Sequence, residues 1–180
     1  MEVEKKRFEN KCVLLDRDGV LNIEKGDYVF KHEDFEIQDD VPSGLNKLKI
    51  AGFQLVVVTN QGGISKGLFT KNEVIALHQK VQVASNNAID YLLYAPIHRD
   101  YSKSLASKPG SLMLERGLAL TQSDPNVSWL IGDAERDLIA GKKVGVKTIL
   151  IPTLKERQSS YADFVCATFG DAVQVILQHS

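Results

Sequence analysis

Short apolar runs alternate with helix-patterned stretches along most of this chain, and the best of them, Cys12-Val13-Leu14-Leu15 and Leu55-Val56-Val57-Val58, are apolar at every position. A strand of that kind has no face for water. It belongs in a parallel sheet covered on both sides, because a sheet with one wet face would show alternation instead. The pattern predicts strands over Lys11 to Asp16, Phe53 to Thr59, Ile89 to Tyr94, Val127 to Ile131 and Lys147 to Ile151, with a short sixth near Asp163 to Cys166. Helices are expected over Pro42 to Ala51, Thr70 to about Asn86, Gly110 to Leu120, Asp137 to Val144 and Gly170 to Gln178. Thr70 with Glu73 forms a capping-box pattern, and Gly52 and Gly145 follow helical stretches where a left-handed residue is wanted. The fold class expected is α/β: a doubly wound, mainly parallel sheet with helices on both faces, forming one domain over residues 1–180.

Such a sheet binds ligands beyond the carboxyl ends of its strands, and those ends are polar here. The first run leads into Asp16-Arg17-Asp18-Gly19. Side chains two apart share a side, so both carboxylates can face one reacting group, while Gly19 lets the chain turn away. The pair suits a nucleophile and an acid/base; it also fits a strand that ends in a polar turn. The second run ends in Thr59-Asn60-Gln61 followed by Gly62-Gly63, offering hydroxyl, amide and backbone N–H groups to phosphoryl oxygens, or simply a turn. The fourth ends in Gly132-Asp133-Ala134-Glu135-Arg136-Asp137, where Asp133 suits a metal and Asp137 a helix cap. Lys108-Pro109 lies between them, with the proline able to enter the first turn of a helix and the lysine able to remain a solvated charge.

Composition narrows the classes of function. The 22 basic and 23 acidic residues nearly cancel, which gives no electrostatic footprint for nucleic acid or an anionic membrane surface. Lys5-Lys6-Arg7 reads as a solvated flank. No apolar stretch is long enough to span a membrane and the first residues carry charges where a signal peptide is apolar, so a cytoplasmic location is the expectation. A monomer is expected as well. Cys12 and Cys166 read as buried free thiols.

Taken in order, Asp16-Arg17-Asp18-Gly19, Thr59-Asn60, Lys108-Pro109 and Gly132-Asp133 with Asp137 resemble the four motifs of the haloacid dehalogenase superfamily of phosphotransferases. The resemblance runs from about Cys12 to Ile151. It is nearest the branch that contains D-glycero-D-manno-heptose bisphosphate phosphatase and histidinol-phosphate phosphatase, through Asp16 to Asn22, Tyr28-Val29, Phe53 to Thr59 with Asn60-Gln61, Gly63-Ile64, and Lys66-Gly67 with Phe69-Thr70. It implies a phosphatase without a large cap domain, acting on a small phosphorylated metabolite, with a sugar phosphate first and histidinol phosphate second. By the same resemblance Asp16 is the nucleophile and Asp18 the acid and then the base. Mg²⁺ is held by Asp16, Asp133 and the backbone carbonyl of Asp18, with Asp137 behind them. Thr59, the Asn60 backbone and Lys108 hold the phosphoryl oxygens, and Tyr28 and Gln61 join the substrate site.

Two departures from the heptose enzymes stand out. Where those carry a zinc loop of Cys-x-His and Cys-x-Cys, this chain has Ala95 and Ile97, then Ser104 and Ala106. His98 alone cannot build a tetrahedral site, so no zinc is expected, and His98 reads as a solvated or hydrogen-bonded side chain. Ser107 replaces the arginine that precedes the motif lysine, which removes a two-pronged contact for a second anionic group. A signalling receiver domain also combines aspartate, threonine, lysine and Mg²⁺, but its acceptor aspartate ends the third strand. A phosphate-binding relative that has lost catalysis is the remaining alternative.

Overall fold

A computed structural model of the chain describes residues 9–153 and 157–180; Lys5-Lys6-Arg7 lies outside the described residues. The strands are β1 (Lys11–Leu15), β2 (Phe53–Asn60), β3 (Tyr91–Ala95), β4 (Trp129–Gly132), β5 (Lys147–Leu150) and β6 (Phe164–Val165). They form one sheet in the order β3-β2-β1-β4-β5-β6 with every pairing parallel. Among the described residues four α-helices lie between successive strands, α1 (Val41–Ile50), α2 (Lys71–Ala84), α3 (Leu112–Thr121) and α4 (Glu135–Val144), and a fifth, α5 (Phe169–Gln178), follows β6. None is long and apolar enough to cross a membrane.

The uniformly apolar strands feed two cores. Val13, Leu15, Leu55 and Val57 face Leu45 and Leu48 of α1, Leu77 and Val81 of α2, and Phe169 and Val173 of α5. Their neighbours Cys12, Leu14, Val56 and Val58 face Met113, Leu114 and Leu118 of α3 and Ala140 of α4. Strand alternation thus sends successive residues of one run to opposite covered faces, which is why no position could be polar.

The element ends follow local chemistry. Thr70 Oγ1 accepts the Asn72 N–H and Glu73 Oε2 accepts the Thr70 N–H, so the capping box forms, and Gly52 and Gly145 take φ of 85° and 82°. Strand β3 begins at Tyr91 rather than Ile89, because the Gln82 side chain occupies both the N–H and the carbonyl of Ile89. Helix α2 stops at Ala84, before the left-handed Asn86 and Asn87. Strand β4 starts at Trp129, since Pro125–Val127 form a 3-10 turn capped by Asp124. Helix α3 starts at Leu112, so Pro109 lies in the preceding loop and not in its first turn. Helix α4 starts at Glu135, which puts Asp137 inside the first turn.

Candidate active site

The carboxyl ends of β1, β2 and β4 and the loop before α3 converge on three buried carboxylates. One oxygen each from Asp16, Asp133 and Asp137 lies within 4.8 Å of the others. Asp16 directly follows β1 and is anchored through its own N–H to the Ile131 carbonyl of β4 at 3.0 Å. Its Oδ1 accepts the Arg17 N–H at 2.7 Å, and its Oδ2 stands 2.9 Å from Lys108 Nζ. The same ammonium is 2.9 Å from Asp137 Oδ1. Both are charge contacts rather than aligned hydrogen bonds.

Lys108 is held from behind. The Asn60 side chain donates to the Lys108 carbonyl at 3.0 Å and accepts its N–H at 2.9 Å, so an amide at the end of β2 fixes the lysine backbone across the sheet. The sequence pointed to the backbone of Asn60; the side chain's clasp is a role that it did not reveal. Asp137 spends its second oxygen on the N–H of Ala134 at 3.1 Å. Capping α4 and balancing Lys108 are therefore joint tasks of one carboxylate.

Asp133 is different. Its Oδ1 is buried without a hydrogen-bond partner, and the nearest guanidinium, that of Arg136, is 4.0 Å away. Gly19, at φ 80°, packs against it: a Cβ there would fall 2.6 Å from Asp133 Oδ2. Glycine is needed at this position for the turn and for the approach of the second acid.

Electrostatics separates these acids. Burial pushes the Asp133 carboxyl up to about 8, reinforced by the charges of Asp16 and Asp137. Burial also raises Asp16 to about 6, against the opposing pull of Lys108. Burial acts on Asp137 in the same sense, yet Lys108 and Arg136 outweigh it and hold that carboxyl below its ordinary range. For Lys108 burial disfavours the ammonium, but Asp137 and Asp16 more than restore it. Charge therefore concentrates on the Lys108–Asp137 pair, and Asp133 and Asp16 are the groups short of positive charge.

Asp18 is held by a different set of side chains. Arg17 grips it through Nε and Nη2 at 3.0 to 3.2 Å, and Gln61 Nε2 reaches both Asp18 Oδ2 at 3.1 Å and Thr59 Oγ1 at 2.9 Å. Gln61 thus ties the end of β2 to the second carboxylate. Tyr28 stands further out, edge-on to Phe69 at 5.9 Å between ring centroids and under Lys66. Its link to the carboxylates runs through its neighbour Val29, whose carbonyl accepts from Arg17 Nη2 at 3.1 Å. In the loop before Lys108, Ser107 Oγ donates to the Ile97 carbonyl, Ser104 Oγ accepts the Ala106 N–H, and His98 Nδ1 accepts the Asp100 N–H. Short hydrogen bonds clip this loop.

The chain matches the family described as "HAD-hyrolase-like" over residues 105–172. It is 33% identical over 178 residues to the D-glycero-beta-D-manno-heptose-1,7-bisphosphate 7-phosphatase of Pasteurella multocida, covering 92% of this chain and 96% of that one. The enzyme of the same name from Haemophilus influenzae is 34% identical over 179 residues, covering 93% and 97%. The fold matches the crystal structure of a D,D-heptose 1,7-bisphosphate phosphatase from B. bronchiseptica complexed with magnesium and phosphate, with a TM-score of 0.84 at 23% identity, over 94% of this chain and 99% of that one. A parallel sheet with this carboxyl edge, in a chain with these relatives, is a phosphoric monoester hydrolase. The chain belongs to the haloacid dehalogenase superfamily, in its heptose-bisphosphate phosphatase branch.

Proposed function

We propose that this enzyme is a Mg²⁺-dependent phosphatase that removes one phosphate from a sugar phosphate of the heptose 1,7-bisphosphate type by way of an aspartyl-phosphate. The observation that carries this reading is the buried Asp16 carboxylate, set at the end of the central strand against Lys108 and beside an Asp133 oxygen that has no hydrogen-bond partner. Among the described residues, Asp16 and Asp133 fit a hard divalent cation: they offer oxygen ligands, and burial leaves them without enough positive charge of their own. Asp16, Asp133 and the backbone carbonyl of Asp18 would hold it, while Asp137 remains engaged with Lys108 and Ala134. When bound, the cation draws negative charge from the phosphoryl oxygens and lets an anionic ester approach three acids.

Asp16 attacks phosphorus and the leaving oxygen departs with a proton from Asp18; water, deprotonated by Asp18, then cleaves the acyl phosphate and regenerates Asp16. Lys108 and the Thr59 hydroxyl face the equatorial oxygens as their charge grows. The rest of the substrate has room in a cavity of about 930 Å³ whose lining includes Lys25, Arg136 and Arg157 together with Glu24 and Asp133, a size and a charged, polar lining that suit a phosphorylated sugar. Phosphate release from the heptose bisphosphate, with and without Mg²⁺, tests the reading. Asp16→Asn is expected to abolish turnover with the fold intact, and Asp18→Asn to cost on the order of 10²-fold or more. A well-folded Asp16→Asn protein with near wild-type turnover would sink it.

A further inference from the structure

We propose that Arg17 is the positioning residue for the Asp18 carboxylate, acting on turnover only through Asp18; the inference rests on the role of Asp18 given above. Arg17 lies between the two acids in sequence, yet its side chain is only 3% exposed and runs inward. Its guanidinium forks onto Asp18, with Nε 3.2 Å and Nη2 3.0 Å from Oδ1 and Nη2 3.0 Å from Oδ2. The fork is itself seated, by the Val29 carbonyl at 3.1 Å and by the face of Phe35, whose centroid is 5.6 Å from the guanidinium carbon. Lys80 in turn holds the segment carrying Phe35, donating to the carbonyls of His32 and Phe35.

Stability alone does not account for this arrangement. Burying a guanidinium is costly, and an apolar side chain of similar volume is often as stable or better. Arg17 Nη1 is moreover buried without a hydrogen-bond partner, so the fold tolerates an unmet donor to keep the fork where it is. What the fork achieves is geometric. The Asp18 side chain is 26% exposed, enough for an unheld carboxylate to swing among rotamers. Between Arg17 on one side and Gln61 on the other, Asp18 has one orientation, next to the amide that also touches Thr59. Proton transfer requires the carboxyl oxygen within about 2.6 to 3.2 Å of its target, so a wandering Asp18 loses rate even when present and correctly charged.

The test exploits leaving groups. p-Nitrophenolate departs without a proton, whereas an alkoxide needs one. Arg17→Met and Arg17→Lys in the full chain with Mg²⁺ are compared on p-nitrophenyl phosphate and on an alkyl phosphate, either the heptose bisphosphate or glycerol phosphate. Both variants are expected to lose on the order of ten- to a hundredfold in kcat/KM on the alkyl ester and less than about threefold on the aryl ester. In the Asp18→Asn background, Arg17→Met is expected to add no further loss on the alkyl ester. Circular dichroism and a thermal melt verify folding, and if Arg17→Met does not fold, Arg17→Lys, which keeps the cation and stem but not the fork, decides. Equal losses on the two esters, or a loss that adds to that of Asp18→Asn, overturns the inference alone. If Asp18→Asn itself fails to distinguish the esters, the reading of Asp18 falls and this inference falls with it.

Discussion

Replacing Lys108 by methionine keeps the length of the side chain and removes the one charge set between two buried acids. At 2.9 Å from both Asp16 Oδ2 and Asp137 Oδ1, the ammonium gains about 6 kcal/mol from each at an effective dielectric near 20. Much of that offsets the cost of burying three charged groups, whose side chains are 0%, 4% and 0% exposed for Lys108, Asp16 and Asp137. The net loss when one partner of a buried pair is removed is about 3 to 5 kcal/mol, and Lys108→Met is expected to fall in that range in urea unfolding at neutral pH with EDTA present. Protonation offers the orphaned acids an escape, so the loss should shrink as pH falls. Mg²⁺ should shrink it as well, by supplying positive charge on the Asp16 side. Adding Asp137→Asn should recover part of the loss, since one of the two uncompensated acids is then gone. A loss below about 1 kcal/mol in EDTA, or a double variant no more stable than Lys108→Met, would refute the view that this lysine balances both carboxylates.

Gly19→Ala combines a left-handed backbone, costing about 1 to 2 kcal/mol, with a methyl 2.6 Å from Asp133 Oδ2; stability should fall and Mg²⁺ affinity by calorimetry should drop at least about tenfold, while unchanged affinity would show that Asp133 is free to move aside. Ser107→Arg should raise the bisphosphate to monophosphate ratio of kcat/KM by roughly ten- to a hundredfold; a wild type that already prefers the bisphosphate strongly, with a ratio the substitution leaves unchanged, places the second anion elsewhere. Because Asp133 is raised from 3.8 to about 8, the metal-free folded chain holds a proton there that the unfolded chain releases. Its contribution to stability is therefore present at low pH and lost as pH rises from about 4 through 8, the reverse of a salt-bridged acid, and Mg²⁺ binding near pH 7 should release protons, visible as buffer-dependent heats. Activity should need Mg²⁺, and elemental analysis should find no zinc; about one zinc per chain, lost together with activity, would mean that the loop before Lys108 holds zinc after all.

The architecture was legible because its cause is one-dimensional: residues such as Val13 and Leu14 must be apolar in succession when both faces of a strand are covered. Boundaries slipped where side chains took over backbone partners, as Gln82 does for Ile89, since such a contact leaves no periodic trace. The residues brought together at the site were legible as types at strand ends. Asp137 was legible as a helix cap, and it does accept the Ala134 N–H. That Lys108 stands against Asp137 as well as Asp16 was not, because it depends on packing between a loop and a helix far apart in sequence. Arg17 was visible only as the spacer between two aspartates, because nothing in the sequence tells a spacer that faces water from one that turns inward beneath Phe35.

The central place of β1 also orders events during synthesis. One edge of β1 pairs with β2 and the other with β4, which begins at Trp129. A chain emerging from its N-terminus can pair β1, β2 and β3 by Ala95, but the peptide N–H of Asp16 has no strand partner until Ile131 is made. Lys108 and the Asn60 amide that clasps it are both complete before that second wall arrives. In chain order, Lys108, the counter-charge of Asp16, precedes the strand that walls Asp16 in, and Asp137 follows within a turn of helix of that strand.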